Sequence, residues 1–164
     1  MSSAVVDEYE IRKLPLEERY EKCAEILRNE HDESKRWDAV WLVGEVAELA
    51  GPSKPIFHKV ADLMDWVLKN DNNGVVKHEA CFQIAARNMR KKIQSLVDAA
   101  LYDKSGLVKH EALESLGLMR AHESQDEIMK ALNDTNPDVS ETATFVLKRL
   151  ERFKGTTYKP YHIL

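Results

Sequence analysis

Cysteine is nearly missing from this sequence: Cys23 and Cys81 stand alone, both in apolar helical contexts. Two such thiols exclude a disulfide framework, and reduced, buried side chains are expected. A strong excess of either charge is missing too. The 24 basic and 28 acidic side chains leave a net charge of -4, which lacks the basic footprint of a nucleic-acid binder. No apolar run approaches the roughly 18 residues that a membrane span needs. The opening MSSAVVDEYE has neither a basic start nor an apolar stretch, so export is not expected and a cytoplasmic protein is. Alternating apolar–polar runs are almost lacking, which argues against strands. What remains is 164 residues with 43% apolar content, enough for one continuous core.

That apolar content recurs at helical spacing. Leu14-Pro15-Leu16-Glu17-Glu18 reads as a helix entry, followed by Tyr20, Cys23, Ile26 and Leu27 on one face. His31-Asp32-Glu33-Ser34 interrupts, a second helix carries Trp37 to Leu49, and Gly51-Pro52 stops it. Further helices are predicted from about Pro55 to Leu68, Val75 to Asn88, Lys91 to Leu101, Leu107 to Met119, Ser124 to Leu132 and Asp138 to Phe153. Pro137 suits a first-turn position, where a missing N–H costs nothing. The tryptophans Trp37, Trp41 and Trp66 fall at core spacing and are expected to pack.

Self-similarity carries the parsing further. Gly74-Val75-Val76-Lys77-His78-Glu79-Ala80 matches Gly106-Leu107-Val108-Lys109-His110-Glu111-Ala112, and Val139-Ser140-Glu141-Thr142-Ala143 continues the series. Lys35-Arg36-Trp37-Asp38-Ala39 holds the comparable place upstream. A period near 30 made of two helices is the mark of a helical solenoid. The chain is therefore expected to be all-α, a HEAT-like solenoid of about four helical pairs. Residues 1–13 form an N-terminal extension, 14–153 the repeat domain and 154–164 a tail, whose aromatic and aliphatic content suits packing on the last repeat or on another chain.

His78-Glu79 and His110-Glu111 fall at one phase of adjacent repeats. Stacked helices lie roughly 8–10 Å apart, so inward side chains from both can meet. Two imidazoles and one carboxylate with open positions suit a divalent first-row metal, and His78, His110 and Glu111 supply that set. Glu79 is left to accept a supporting hydrogen bond or to bind a cationic substrate. Asp38 holds the acidic phase without a histidine before it. The competing reading keeps both histidines as satisfied structural residues, with Glu79 and Glu111 favouring helix N-termini. His31, His58, His122 and His162 fall outside the matching phase and receive no role.

The segments VVKHEACFQIA, LVKHEALESLG and PDVSETATFVL resemble those of the deoxyhypusine hydroxylase family of HEAT-like repeat proteins, over most of residues 16–153. The resemblance implies a non-haem diiron monooxygenase built of two similar halves with four His-Glu motifs, acting with dioxygen on an amine-bearing side chain of a translation factor. It implies metal ligands at His78, His110 and Glu111, and a substrate-binding, catalytic role for Glu79. Only two motifs are present here, as in one half of such an enzyme. The expected assembly is a two-fold homodimer with one iron per chain and two per dimer. The substrate expected is an amine-bearing small molecule or a protein or peptide side chain. The alternative is a metal-free repeat scaffold for a protein partner.

Overall fold

The computed structural model describes residues 7–158. The chain's helices are α1 (Glu8–Arg12), α2 (Leu16–Asn29), α3 (Glu33–Ala50), α4 (Pro55–Asn70), α5 (Gly74–Ala86), α6 (Ile93–Tyr102), α7 (Gly106–Leu118), α8 (Gln125–Lys130) and α9 (Pro137–Arg152). Single 3₁₀ turns at Arg90–Lys92, His122–Ser124 and Ala131–Asn133 lead into or out of the later helices. From α2 onward the helices pair in order, and no strand occurs among the described residues. The second helices α3, α5, α7 and α9 stack directly on one another, more closely than the first helices do. That difference curves the array and puts the second helices on its inner side.

The turns into α5, α7 and α9 repeat one device. Asp71, Asp103 and Asp134 accept the backbone N–H two residues on, at 2.9 Å in each case. The residue that donates that N–H then caps the helix. Asn73 accepts from Val75 and Val76, Ser105 from Val108, and Asn136 from Asp138. The other carboxylate oxygen of each aspartate faces the preceding repeat. There Arg36 Nε donates to Asp71 at 2.8 Å, and Lys77 Nζ and Lys109 Nζ reach Asp103 and Asp134 at 2.7 Å. A ladder of cation–aspartate bonds thus crosses every seam from α3 to the start of α9.

The ends of α5 and α7 repeat as well. Asn88 and Arg120 both adopt φ of 52°, closing their helices with bonds from Met89 N to Ile84 O and from Ala121 N to Leu116 O. Asparagine tolerates that conformation, whereas arginine pays for it and is held by other contacts. The Arg120 guanidinium lies 4.2 Å over Phe153 and donates to Thr156 Oγ1 and Thr157 O, pinning the start of the tail. The rest of that tail, including His162, lies outside the described residues.

The core runs unbroken from Ile11 to Leu150. Cys23 and Cys81 are free and buried, as expected, and burial pushes the Cys23 thiol up to about 12. Within the N-terminal extension, α1 docks on the first pair through buried Ile11 and an Arg12–Glu45 ion pair at 2.7 Å. The tryptophans differ from expectation. Trp66 packs against the core, but Trp37 is 40% exposed and Trp41 stacks on Phe82 at 6.4 Å, both at the inner layer. Their spacing is that of a core, but a concave layer leaves part of its inner face to solvent.

Candidate metal and substrate site

Stacking brings the histidine phase of one repeat against the acidic phase of the next. His78 Nε2 on α5 lies 3.0 Å from Glu111 Oε2 on α7. One seam on, His110 Nδ1 lies 2.7 Å from Thr142 Oγ1 on α9, and Thr142 holds the position that glutamate takes in the two preceding motifs. Thr142 spends its own hydrogen on the carbonyl of Asp138, at 2.6 Å. Its oxygen can therefore only accept from His110, which puts a hydrogen on Nδ1 and turns Nε2 outward. That nitrogen faces Glu114 Oε1 at 3.2 Å, with room for a proton or another cation between them.

Burial governs the charges. Glu111 is 6% exposed, and burial, with Glu114 and Glu79 adding to it, pushes its carboxyl up to about 7. Burial also lowers the His78 pKa, and His110 lowers it further, so the ring favours its neutral form. Both shifts disfavour charge in the bare pair, and a cation seated there would reverse them.

Of the sequence-derived residues, His78 and Glu111 are brought into contact, and His110 follows one seam along. Among the described residues, no three His, Cys, Asp or Glu side chains already converge at metal-ligand spacing. The donor set nevertheless fits a metal in part. Two ligands at right angles with bonds of about 2.1 Å lie roughly 3.0 Å apart, which is the His78–Glu111 separation. His110 has its second ring nitrogen anchored, as metal-ligating histidines do.

Glu79 faces elsewhere. It is 8% exposed and accepts from Gln83 Nε2 at 3.0 Å along the seam with α3. Further along, Arg87 donates to Glu48 Oε2 at 2.6 Å. Asp38 is half-buried on α3, its pKa raised by burial and by Glu8 and Asp32. His122 sits in the 3₁₀ turn that matches Arg90 one repeat back.

Two residues at this site went unread in the sequence. Thr142 was visible as the occupant of the acidic phase. Glu114 was visible as one member of a row four residues beyond the histidine phase of each repeat (Trp37, His78, His110 and Glu141), comprising Trp41, Phe82, Glu114 and Phe145. A groove of about 780 Å³ opens beside this row between α7 and α9, lined by His110, Glu114, Glu141 and Phe145 among others.

Paired helices stacked in one direction, with a polar rung repeated at each seam, define a helical-repeat array. Residues 60–148 match the family of HEAT repeats, and the chain belongs to that family. No curated protein matches it. Among solved structures, human deoxyhypusine hydroxylase in complex with glycerol is similar, with a TM-score of 0.72 at 20% identity. The match covers 93% of this chain and 50% of that one, so the chain spans half the length of this neighbour. It establishes the shared fold. No described helix is long and apolar enough to cross a membrane.

Proposed function

We propose that this protein is a non-haem iron, dioxygen-dependent hydroxylase whose dinuclear centre is completed by a two-fold homodimer. His78, His110 and Glu111 hold one iron per chain, and a facing copy supplies the second set. The observation that carries this reading is the outward Nε2 of His110, held by the Thr142–Asp138 relay beside the buried His78–Glu111 pair. The fold shared with human deoxyhypusine hydroxylase supports it. When bound, a pair of irons supplies dioxygen activation, placing one oxygen atom in a substrate C–H bond and releasing the other as water with two electrons from an external donor.

The chain's own residues do the rest. Thr142 keeps the His110 ring from turning, and the buried seam between α5 and α7 keeps water from the Glu111 carboxylate. Gln83 holds Glu79 Oε1, leaving the second carboxylate oxygen for a proton or a substrate N–H. A cytoplasmic location fits an enzyme with two reduced thiols.

A second reading, a metal-free scaffold for a protein partner, is favoured by one observation. The His78–Glu111 and His110–Thr142 contacts join neighbouring repeats in the same register as the cation–aspartate ladder. Iron content and solution mass on one sample separate the two. The hydroxylase requires near one iron per chain at dimer mass, lost in both His78→Ala and His110→Ala. Protein that takes up no iron under anaerobic loading removes the enzyme and leaves the scaffold. Iron-bound, active monomer removes the dimer alone.

A further inference from the structure

The inner face is raised on one side of its middle seam and hollow on the other. Between α3 and α5, Trp41 stacks on Phe82 at 6.4 Å with the rings 9° from parallel. Trp37 stands one turn nearer the helix N-termini, 40% exposed. Between α7 and α9 the same two levels hold Glu114 with Phe145 and His110 with Glu141, and there the groove of about 780 Å³ opens. The difference lies in the side chains. Two stacked rings fill the first gap, whereas Phe145 meets no second ring in the other and is 63% exposed. Ridge and groove flank the α5–α7 seam, which carries the His78–Glu111 contact. At that seam Val75 and Leu107 hold matching positions in the first turns of α5 and α7, 52% and 46% exposed.

We propose that two copies of the chain meet through this face, about a two-fold axis that runs along the helices at the α5–α7 seam, so that the Trp41–Phe82 ridge of each fills the partner's α7–α9 groove. The inference rests on the dimer of the hydroxylase reading and names the surface that builds it. Such an axis exchanges α3 with α9 and α5 with α7, and it keeps every level because the helices stay parallel. Trp41 then meets the partner's Phe145. The Trp37 indole N–H, a donor only, comes level with the carboxylate of the partner's Glu141. Nearer the helix C-termini, Glu45 and Glu48 come level with the partner's Arg149 and Arg152, opposite in sign, in addition to their bonds to Arg12 and Arg87 of their own chain. A two-fold along the stacking direction would set α3 on α3, ridge against ridge, and leave both grooves unfilled. Four inner helices at about 10 Å spacing and about 20 Å long offer up to roughly 800 Å² per chain, the size of a standard interface. Two concave faces touch first at their rims, α3 against α9, and keep a space at the axis. There His78 lies opposite the partner's His110, so both histidine sets face one cavity.

Thiol cross-linking on the full-length chain reads the pairing directly, because Cys23 and Cys81 are buried and do not compete. Trp37→Cys and Glu141→Cys both change exposed side chains. The two variants are treated with a short bis-maleimide, singly and mixed, before and after anaerobic iron loading. A linked dimer is expected in the mixture and in neither variant alone, since these positions meet only across the axis. Phe145→Glu, with the fold checked by circular dichroism, should raise the dimer dissociation constant at least about tenfold in sedimentation equilibrium. Linking of either variant with itself, no link in the mixture, or a Phe145→Glu chain that dimerises as tightly as the native one overturns the inference. Iron-loaded protein that keeps dimer mass through any of these results leaves the hydroxylase reading standing on a different interface. The mixed link in protein that takes up no iron supports the interface while the hydroxylase reading fails.

Discussion

Gly44 is where the α3–α5 seam is tightest, and a single methyl there tests how the polar rung of Glu79 and Gln83 is held. A Cβ on Gly44 would lie 2.0 Å from Gln83 Oε1, 2.5 Å from its Cδ and 3.2 Å from its Cγ. Gln83 is fully buried, so its amide cannot swing into solvent, and moving it also breaks its 3.0 Å bond to Glu79. Overpacking of this kind costs about 1–3 kcal/mol, and the lost hydrogen bond adds about 1 kcal/mol. Alanine's helix preference over glycine returns about 1 kcal/mol. Gly44→Ala should therefore destabilise by about 1–3 kcal/mol, or roughly 3–10 °C in Tm for a chain of this length. The decisive comparison is in a Gln83→Ala background. The clash is then gone, only the helix preference remains, and the same Gly44→Ala change should become stabilising by up to about 1 kcal/mol. Equilibrium urea unfolding of the four proteins, followed by circular dichroism, reads the sign directly. An equal penalty in both backgrounds, or no penalty beside native Gln83, refutes the account of the seam.

The ladder makes two further predictions. Asp103→Asn keeps an acceptor for the Ser105 N–H but leaves the Lys77 ammonium, 13% exposed, without its charge partner. It should cost about 2–4 kcal/mol, against less than about 0.5 kcal/mol for Glu10→Gln, whose Lys13 pair is two-thirds exposed; equal effects in urea unfolding would deny the ladder its role. Asp134 has its pKa held below the usual carboxylate value by the Lys109 hydrogen bond first and the Asn136 N–H next. A depressed folded pKa stabilises above the unfolded value, near 3.9, and that stability is lost as pH falls through the folded pKa. The margin of the native chain over Asp134→Asn should hold from pH 7 to about pH 5 and shrink below about pH 4, and a margin independent of acid would contradict it.

The solenoid was legible because its punctuation is local. Asn-Asn-Gly before α5, Lys-Ser-Gly before α7 and Thr-Asn-Pro before α9 bound the helices without reference to anything distant, and the structure starts those helices there. Less legible was α8. Its sequence reads as one helix from Ser124 to Leu132, but the chain makes only Gln125–Lys130 helical in the α sense, between two 3₁₀ turns. Both α8 and the turn after it pack against α9. The ladder was hidden for another reason. Lys77 and Asp103 are 26 residues apart, and both rows were in the sequence, but only the stacking offset says which aspartate meets which cation. The same offset decides that Glu111 meets His78 and that His110 meets Thr142, neither of which follows from the motifs taken singly.

In a repeat protein, recurrence has two explanations, since a residue may return because every seam needs it or because several copies act together. The cation and histidine rows can be told apart on this ground. The cation row makes one kind of bond at every seam it reaches, Arg36 to Asp71, Lys77 to Asp103 and Lys109 to Asp134. A contact so uniform is what holds neighbouring units in register. One position further along, the row changes chemistry at almost every step, from Trp37 through His78 and His110 to Glu141. Its contacts change as well, an acid at one seam and a hydroxyl at the next. A position that stacking required would not tolerate indole, imidazole and carboxylate in turn. The cations join the units in one uniform register, and the His78–Glu111 and His110–Thr142 contacts add to it seam by seam, with a chemistry that the register itself does not dictate.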